Sequence, residues 1–385
     1  MKQNSRIFLL FYLAMISALG PLLTDFYLPA LPKMAGVFSA NTTQIQLTIT
    51  CFLVGLAFGQ LIMGPLSDKF GRKVVLIVSL AMFILATIGC LCVGSIEAFI
   101  FFRLIQGVAG SGGVVVSRSV VADLFKGEEL AKFFALLGAI HGLAPIIAPI
   151  LGGVMLKFSD WRGIFAVLLL LGVLIFLITL FFKESLPVTH RTQGSLLQNL
   201  AYFHILKNRH FMYCVLTQSF AMGVLFSFIA SSSFIFQKHF DLSELTYSLL
   251  FAGVAIGTML GSLSSPLFHS KRKALTAGIL WLVAMGGIIF VLLNLKVHFL
   301  LLEAGFFSMM IALGFIMPTS TALAMELERK NAGSASAVLG FGVFFIGSIV
   351  SPLTGLGDDI FLSTSLVMAV CIVCTVIFGI KVIKA

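Results

Sequence analysis

Gly64-Pro65-Leu66-Ser67-Asp68-Lys69-Phe70-Gly71-Arg72-Lys73 separates two apolar runs, near 43–65 and 74–94. Crossing about 30 Å of hydrocarbon takes roughly 20 apolar residues in helical form. Each flank is long enough, so the stretch reads as a tight reversal at one membrane face, its glycines allowing the turn and a close approach of helices. Carried outward, the same reading finds ten more runs. In the first half they lie near 7–28, 98–121, 133–156 and 163–182. In the second they lie near 211–235, 245–268, 274–294, 298–324, 333–355 and 360–381. The expected fold class is an all-α membrane protein with twelve transmembrane helices. Asp25, Pro29 and Pro32 follow the first run without a small-residue cleavage site, so this run is expected to be retained as a span.

Composition agrees. The chain is 59% hydrophobic and only 10% charged, with a mean hydropathy of +1.11. A soluble surface needs more charge than this. The net charge of +10 does not point to nucleic acid, because its Lys and Arg residues sit in short connections between apolar runs. All six cysteines lie inside apolar runs and read as small buried hydrophobes. Cys371-x-x-Cys374 has redox spacing but lacks a surrounding α/β pattern, and no disulfide or metal site is expected.

The longest polar segment divides the chain into an N-terminal six-helix half (1–182), a linker (183–210) and a C-terminal six-helix half (211–385). If both termini are cytoplasmic, eighteen Lys or Arg residues fall on the inside and five outside, with Arg103 and Arg118 within spans. This bias predicts a multi-pass protein of the inner membrane with both termini in the cytoplasm. The halves echo each other weakly. A basic loop follows the second span of each, Arg103 and Glu303 stand 200 positions apart in spans four and ten, and Pro149 and Pro352 match in spans five and eleven. Pseudo-symmetric halves imply a central path between them and alternating access.

Three motifs make the reading specific. The Gly64–Lys73 loop resembles the signature loop of the major facilitator superfamily. Arg103-Leu-Ile-Gln106-Gly107-Val-Ala-Gly110 resembles that superfamily's fourth-span motif. The stretch of span five containing Gly142, Pro145, Pro149, Gly152 and Gly153 resembles its antiporter motif. Thr24 to Pro32, Val115 to Phe125 and Ala332 to Ala337 narrow the resemblance to the Bcr/CflA drug-resistance family of drug:proton antiporters. The resemblance covers essentially the whole chain. It departs in the C-terminal half, where the basic loop lacks the Asp and the Gly-Arg, and where Ser232-Ser233-Phe234 replaces a Pro-Phe. It implies the major facilitator fold and proton-coupled export of drugs or small amphipathic compounds.

Intramembrane charge is costly and marks function. Asp25, near the outer end of span one, Arg103, Glu303 and the mid-span His141 are the candidate proton-coupling residues. Asp25 ranks first, with Arg103 tuning it. Tyr27, Gln46, Gln60, Gln106 and Gln218 are candidate substrate-cavity residues. Gly64, Asp68, Gly71, Arg72 and Lys73, with Asp123 as a partner acid, are candidates for conformational gating, holding the outward-open state near Asn331. No cofactor is expected beyond the proton gradient. The expected partners are a small-molecule substrate, protons and the lipid bilayer, with no nucleic acid and no obligatory protein partner, the chain acting as a monomer. An enzyme is disfavoured, because no nucleophile–base pair, metal cluster or nucleotide loop is present. Two alternatives stand beside export of drugs: a proton-coupled transporter of one polar metabolite, such as a sugar or amino-acid derivative, and a non-transporting receptor or structural bundle.

Overall fold

The computed structural model describes residues 4–191, 202–328 and 331–384; the part of the expected linker at 192–201 lies outside the described residues. The elements are helical throughout: α1 Arg6–Asp25, α2 Leu31–Val37, α3 Thr42–Phe70, α4 Arg72–Cys92, α5 Ile96–Leu124, α6 Gly127–Met155 and α7 Trp161–Phe181. There follow α8 Tyr202–Lys207, α9 Arg209–Ser233, α10 Glu244–Ser264, α11 Lys271–Asn294, α12 Phe299–Leu327, α13 Ala332–Leu353 and α14 Ile360–Lys384. Among the described residues, twelve helical segments are long and apolar enough to cross a membrane. Exposed stripes such as Leu170, Leu174, Leu177 and Phe181 on α7 suit hydrocarbon contact.

Two boundaries differ from the sequence reading. The first span does not end near residue 28. A tight turn over Leu28–Ala30 carries α1 into α2, and the apolar segment runs Arg6–Val37. Pro29 and Pro32 lack the backbone donors a continuous helix needs, so they break the helix without ending the span. Asp25 therefore stands at the break, as the last residue of α1. The second difference is the Gly64–Lys73 reversal, which occupies a single residue. Helix α3 continues through Pro65 to Phe70, and Gly71, at φ 102°, turns the chain directly into α4. A side chain is strained at that φ, and a Cβ there would also stand 2.5 Å from Glu184 Oε2.

The chain packs as two compact units. The first comprises Met1–Tyr27 with Cys51–Leu200, and the second comprises Leu28–Thr50 with Ala201–Ala385. The break in chain order falls within the expected linker, but the α2 segment and the first residues of α3 pack with the second unit. Lys33 Nζ meets Glu244 Oε1 at 2.7 Å, Thr43 donates to Gly355 O at 2.7 Å, and Gln46 Nε2 donates to Ala230 O at 3.0 Å and to Thr354 Oγ1 at 2.9 Å.

Glycines mediate close helix crossings in each unit. In the first, α3 and α5 approach so closely that a Cβ on Gly107 would lie 2.1 Å from Phe52 O. In the second, α10 and α12 cross the same way, with a Cβ on Gly261 falling 2.1 Å from Ile311 O. Small residues at such crossings let backbones pack where no hydrophobic force draws helices together in lipid. Leu9, Tyr12, Leu13, Ile16, Leu80 and Val120 are among the residues that build the core of the first unit beside its crossing.

The six cysteines are free. Cys90, Cys214 and Cys371 are buried as expected, whereas Cys51 and Cys374 are half-buried and Cys92 is exposed. Among the described residues no cluster of metal-ligating side chains forms.

Replacing Gly107 with Ala should destabilise the purified protein by about 1–3 kcal/mol, the usual penalty for overpacking. Gly142→Ala, where nothing lies within 4 Å of the new methyl, should leave the melting temperature unchanged. Thermal unfolding of the two variants in one detergent checks the contrast.

Candidate functional site

The strongest constellation is built around Arg103. Ser95 caps α5 by accepting from Ala98 N at 3.3 Å, and Arg103 lies about 12 Å further along at 1.5 Å per residue. It is fully buried, at 0% exposure. One terminal nitrogen donates to Gln106 Oε1 at 2.9 Å and the other to Leu23 O at 3.0 Å, just before the break in α1. The rings of Tyr27 and Phe52 lie 4.5 and 4.4 Å from the guanidinium carbon. Cation–π contacts of this kind gain strength when desolvated. Gln106 passes the chain on, donating to Thr87 Oγ1 at 2.8 Å.

Tyr27, Gln106 and Gln46, expected to line a cavity, are wholly buried in this structure. Gln106 joins Arg103 to Thr87, the ring of Tyr27 faces the guanidinium, and Gln46 donates through Nε2 while its buried Oε1 has no partner among the described residues. Gln60 is also buried, and Gln218 accepts from Thr321 Oγ1 at 3.0 Å.

Asp25 is 4% exposed. Among the described residues it makes no ion pair, so the structure does not pair it with Arg103, whose donors face Leu23 O and Gln106. Glu303 belongs to the second unit. Its Oε1 lies 3.3 Å from where a Cβ on Gly253 would stand, and its buried Oε2 has no partner among the described residues. His141 Nδ1 lies 2.8 Å from Leu137 O and 3.4 Å from Ser17 Oγ. A carbonyl only accepts, so this nitrogen carries the proton.

The antiporter-like stretch lies along α6. A Cβ on Gly152 would meet Phe26 O at 2.1 Å, which brings α6 against α1 at the break, and Pro149 and Gly153 are buried nearby. Pro145 and Gly142 are half-buried.

The residues expected to gate form one cluster at the end of the first unit. Arg72 binds Asp68 at 2.5 Å, Asp123 at 2.9 Å and Ser67 Oγ at 2.6 Å. Lys73 Nζ donates to Leu180 O at 2.7 Å. Gly64 O accepts from Ser67 Oγ at 2.8 Å. Sequence reasoning missed two members. Glu184 accepts from the backbone N–H of Arg72 and Lys73, at 3.0 and 3.1 Å, and so sits on the positive end of α4. Ser185 donates to Asp123 at 3.0 Å. The available signal was an acid directly after a span in an otherwise basic segment.

The second unit repeats this pattern with other residues. Lys271, opening α11, pairs with Glu326 near the end of α12, as Arg72 pairs with Asp123. Glu328 accepts from Asn208 at 2.6 Å and from Asn331 at 3.1 Å. At the opposite end of the same unit, Lys296 holds Asp359 at 2.9 Å. The lysine's hydrogen bond keeps that carboxyl below the usual carboxylate range.

Comparison with known proteins accords with this arrangement. The family model of the Major Facilitator Superfamily matches residues 10–352. The MFS-type transporter YdgK of Bacillus subtilis (strain 168), itself uncharacterised, is 37% identical over 363 residues, covering 92% of this chain and 90% of the relative. A bicyclomycin resistance protein homolog of Haemophilus influenzae is 29% identical over 369 residues, covering 91% and 90%. A bacterial homolog of the human lysosomal transporter Spinster, solved inward-facing and unoccupied, shares the fold with a TM-score of 0.75 at 15% identity, covering 99% of this chain and 97% of that one.

Arg103→Lys should lower the melting temperature, because an ammonium lacks the planar fork that reaches Leu23 O and Gln106 together. The expected loss is about 2 kcal/mol, on the scale of one charge-assisted hydrogen bond. A variant that melts like the wild type but does not transport would make Arg103 a coupling residue and not a brace.

Proposed function

This chain belongs to the Major Facilitator Superfamily, and from that premise we propose that it exports drugs or other small amphipathic compounds in exchange for protons. Resemblance to relatives named for bicyclomycin resistance and, in Klebsiella pneumoniae, for multidrug resistance supports this choice of cargo. It works in the inner membrane as a monomer with both termini in the cytoplasm, an orientation supported by the excess of Lys and Arg in the connections on that side. The proton gradient is its energy source and no cofactor takes part.

One observation carries the coupling. Asp25 is a buried carboxyl at a break in the first span with no cation facing it among the described residues. Its charge is answered either by a proton or by a group on a bound molecule, and competition for one carboxyl is the simplest exchange of one for the other. Arg103 acts on Asp25 indirectly, by fixing Leu23 two residues away, so movement at the break changes what the carboxyl faces. Glu303, also without an ion-pair partner among the described residues, selects among substrates by charge. His141 is a secondary candidate for the proton path. The Arg72 cluster, with Gly64, Asp68, Gly71, Lys73 and Asp123, gates the change between states, since breaking a paired buried charge shifts a conformational balance.

Two measurements test the proposal. Cells lacking their own pumps and expressing the chain should accumulate less drug, and a protonophore should abolish the difference. In inverted vesicles Asp25→Asn should keep substrate binding and lose substrate-induced proton movement. Proton movement at the wild-type level in that variant would remove Asp25 from the coupling path.

A further inference from the structure

Arg118 differs from the other arginines of the spans. Arg72 is met by two carboxylates, and Arg103 by a carbonyl, an amide and aromatic rings. Arg118 lies in α5, six residues before its last residue Leu124, and is half-buried. Among the described residues it makes no hydrogen bond, ion pair or ring contact. An arginine within a span is expensive to hold without a counterpart.

Its level in the first unit follows from the packing of α5 on α1. Gly110 faces Leu23, a Cβ on Gly113 would stand 3.0 Å from Ile16, and Gly20 faces Val114 at 3.2 Å. The two helices run antiparallel, so one further turn of α5 sets Arg118 level with about Phe11–Ile16, next to Ser17. Ser17 in turn touches His141 of α6. Arg118 also lies within electrostatic range of that imidazole. His141 shares a face of α6 with Pro145 and Pro149, whereas the exposed apolar stripe of that helix is Leu143, Ile147 and Leu151. The two faces are about 200° apart at 100° per residue. Where α1, α5 and α6 meet, the chain thus holds an unanswered guanidinium away from the apolar stripe of α6.

We propose that Arg118 is a binding site for the acidic group, a carboxylate or an equivalent anion, of an amphipathic substrate. The planar fork suits a two-oxygen anion, and the surrounding apolar helices suit the rest of such a molecule. This rests on the exporter reading and sharpens it, adding amphipathic acids to the cargo.

The test is equilibrium binding of nalidixate and of cholate to the purified full chain in nanodiscs of zwitterionic lipid, without a proton gradient. The ethyl ester of nalidixate is the neutral control. The wild type should bind at least one of the acids. Arg118→Gln should weaken acid binding about tenfold, the loss of one charge-assisted contact, with ester binding unmoved. Arg118→Lys, which keeps the charge and loses the fork, should fall between; it serves alone if the Gln variant does not fold. Equal affinity in wild type and variants, or no acid bound by the wild type, would overturn the proposal. So would an Arg118-dependent retention of phosphatidylglycerol with no effect on the acids, which would make a lipid headgroup the occupant. Protonophore-sensitive ethidium export by the wild type is measured separately, so failure of the exporter reading is seen apart from failure of this site.

Discussion

The first unit depends on the bond between the guanidinium of Arg103 and the carbonyl of Leu23. A helix interrupted by prolines leaves carbonyls without their usual donors, and in hydrocarbon no water replaces them. Arg103 supplies a donor beside the interruption and buries its own charge between Tyr27 and Phe52. Each group would be costly alone. Together they fix where α1 stops, and hence where Asp25 stands. The fourth-span motif and the proline-rich first span are thereby parts of one arrangement, since the glycine of the fourth-span motif, Gly107, brings Phe52 to the same arginine.

The two units share a scaffold and differ in charge. The crossing of α3 with α5 and that of α10 with α12 both use glycines against backbone carbonyls, and each unit closes one end with a cation–acid pair. The pairs are unequal. Arg72 is buried and held by two acids, whereas Lys271 and Glu326 are both more than two-fifths exposed. Exposed pairs contribute little, so the lock of the first unit is the firmer one. The sequence departure in the C-terminal loop, with no Asp and no Gly-Arg, has this physical meaning: the pair survives, but without the second acid or the positive-φ turn.

Much of the fold was legible because spans advertise themselves by length and apolarity, and because the Gly64–Lys73 motif leaves few alternatives. What was not legible has a common cause. Pro29 and Pro32 look like a span end in one dimension, and only packing distinguishes an end from a kink. Gln46 and Tyr27 look like cavity polars because their partners, Thr354 and Arg103, are hundreds or tens of residues away. Glu184 carries no periodic signal, yet its carboxylate is the cap of α4. Asp25, Arg103 and Glu303 were identifiable as intramembrane charges, but which of them has a partner is a matter of three-dimensional contact.

That distinction orders the charged residues by what they are free to do. Arg72 is held by two carboxylates and Arg103 by Leu23 O, Gln106 and two rings, although the buried Nε of Arg103 has no partner among the described residues; a charge so held can brace a structure but has little left to offer a ligand. Asp25, Glu303 and Arg118 lack ion pairs among the described residues, and two are acids while one is a base. A membrane protein that keeps unanswered charges within its spans must have something that answers them for part of its cycle, because leaving them bare costs several kcal/mol each. For the acids, protons or cationic groups serve; for the base, anionic groups. A carrier of both signs of residual charge is suited to substrates that are amphipathic but electrically diverse.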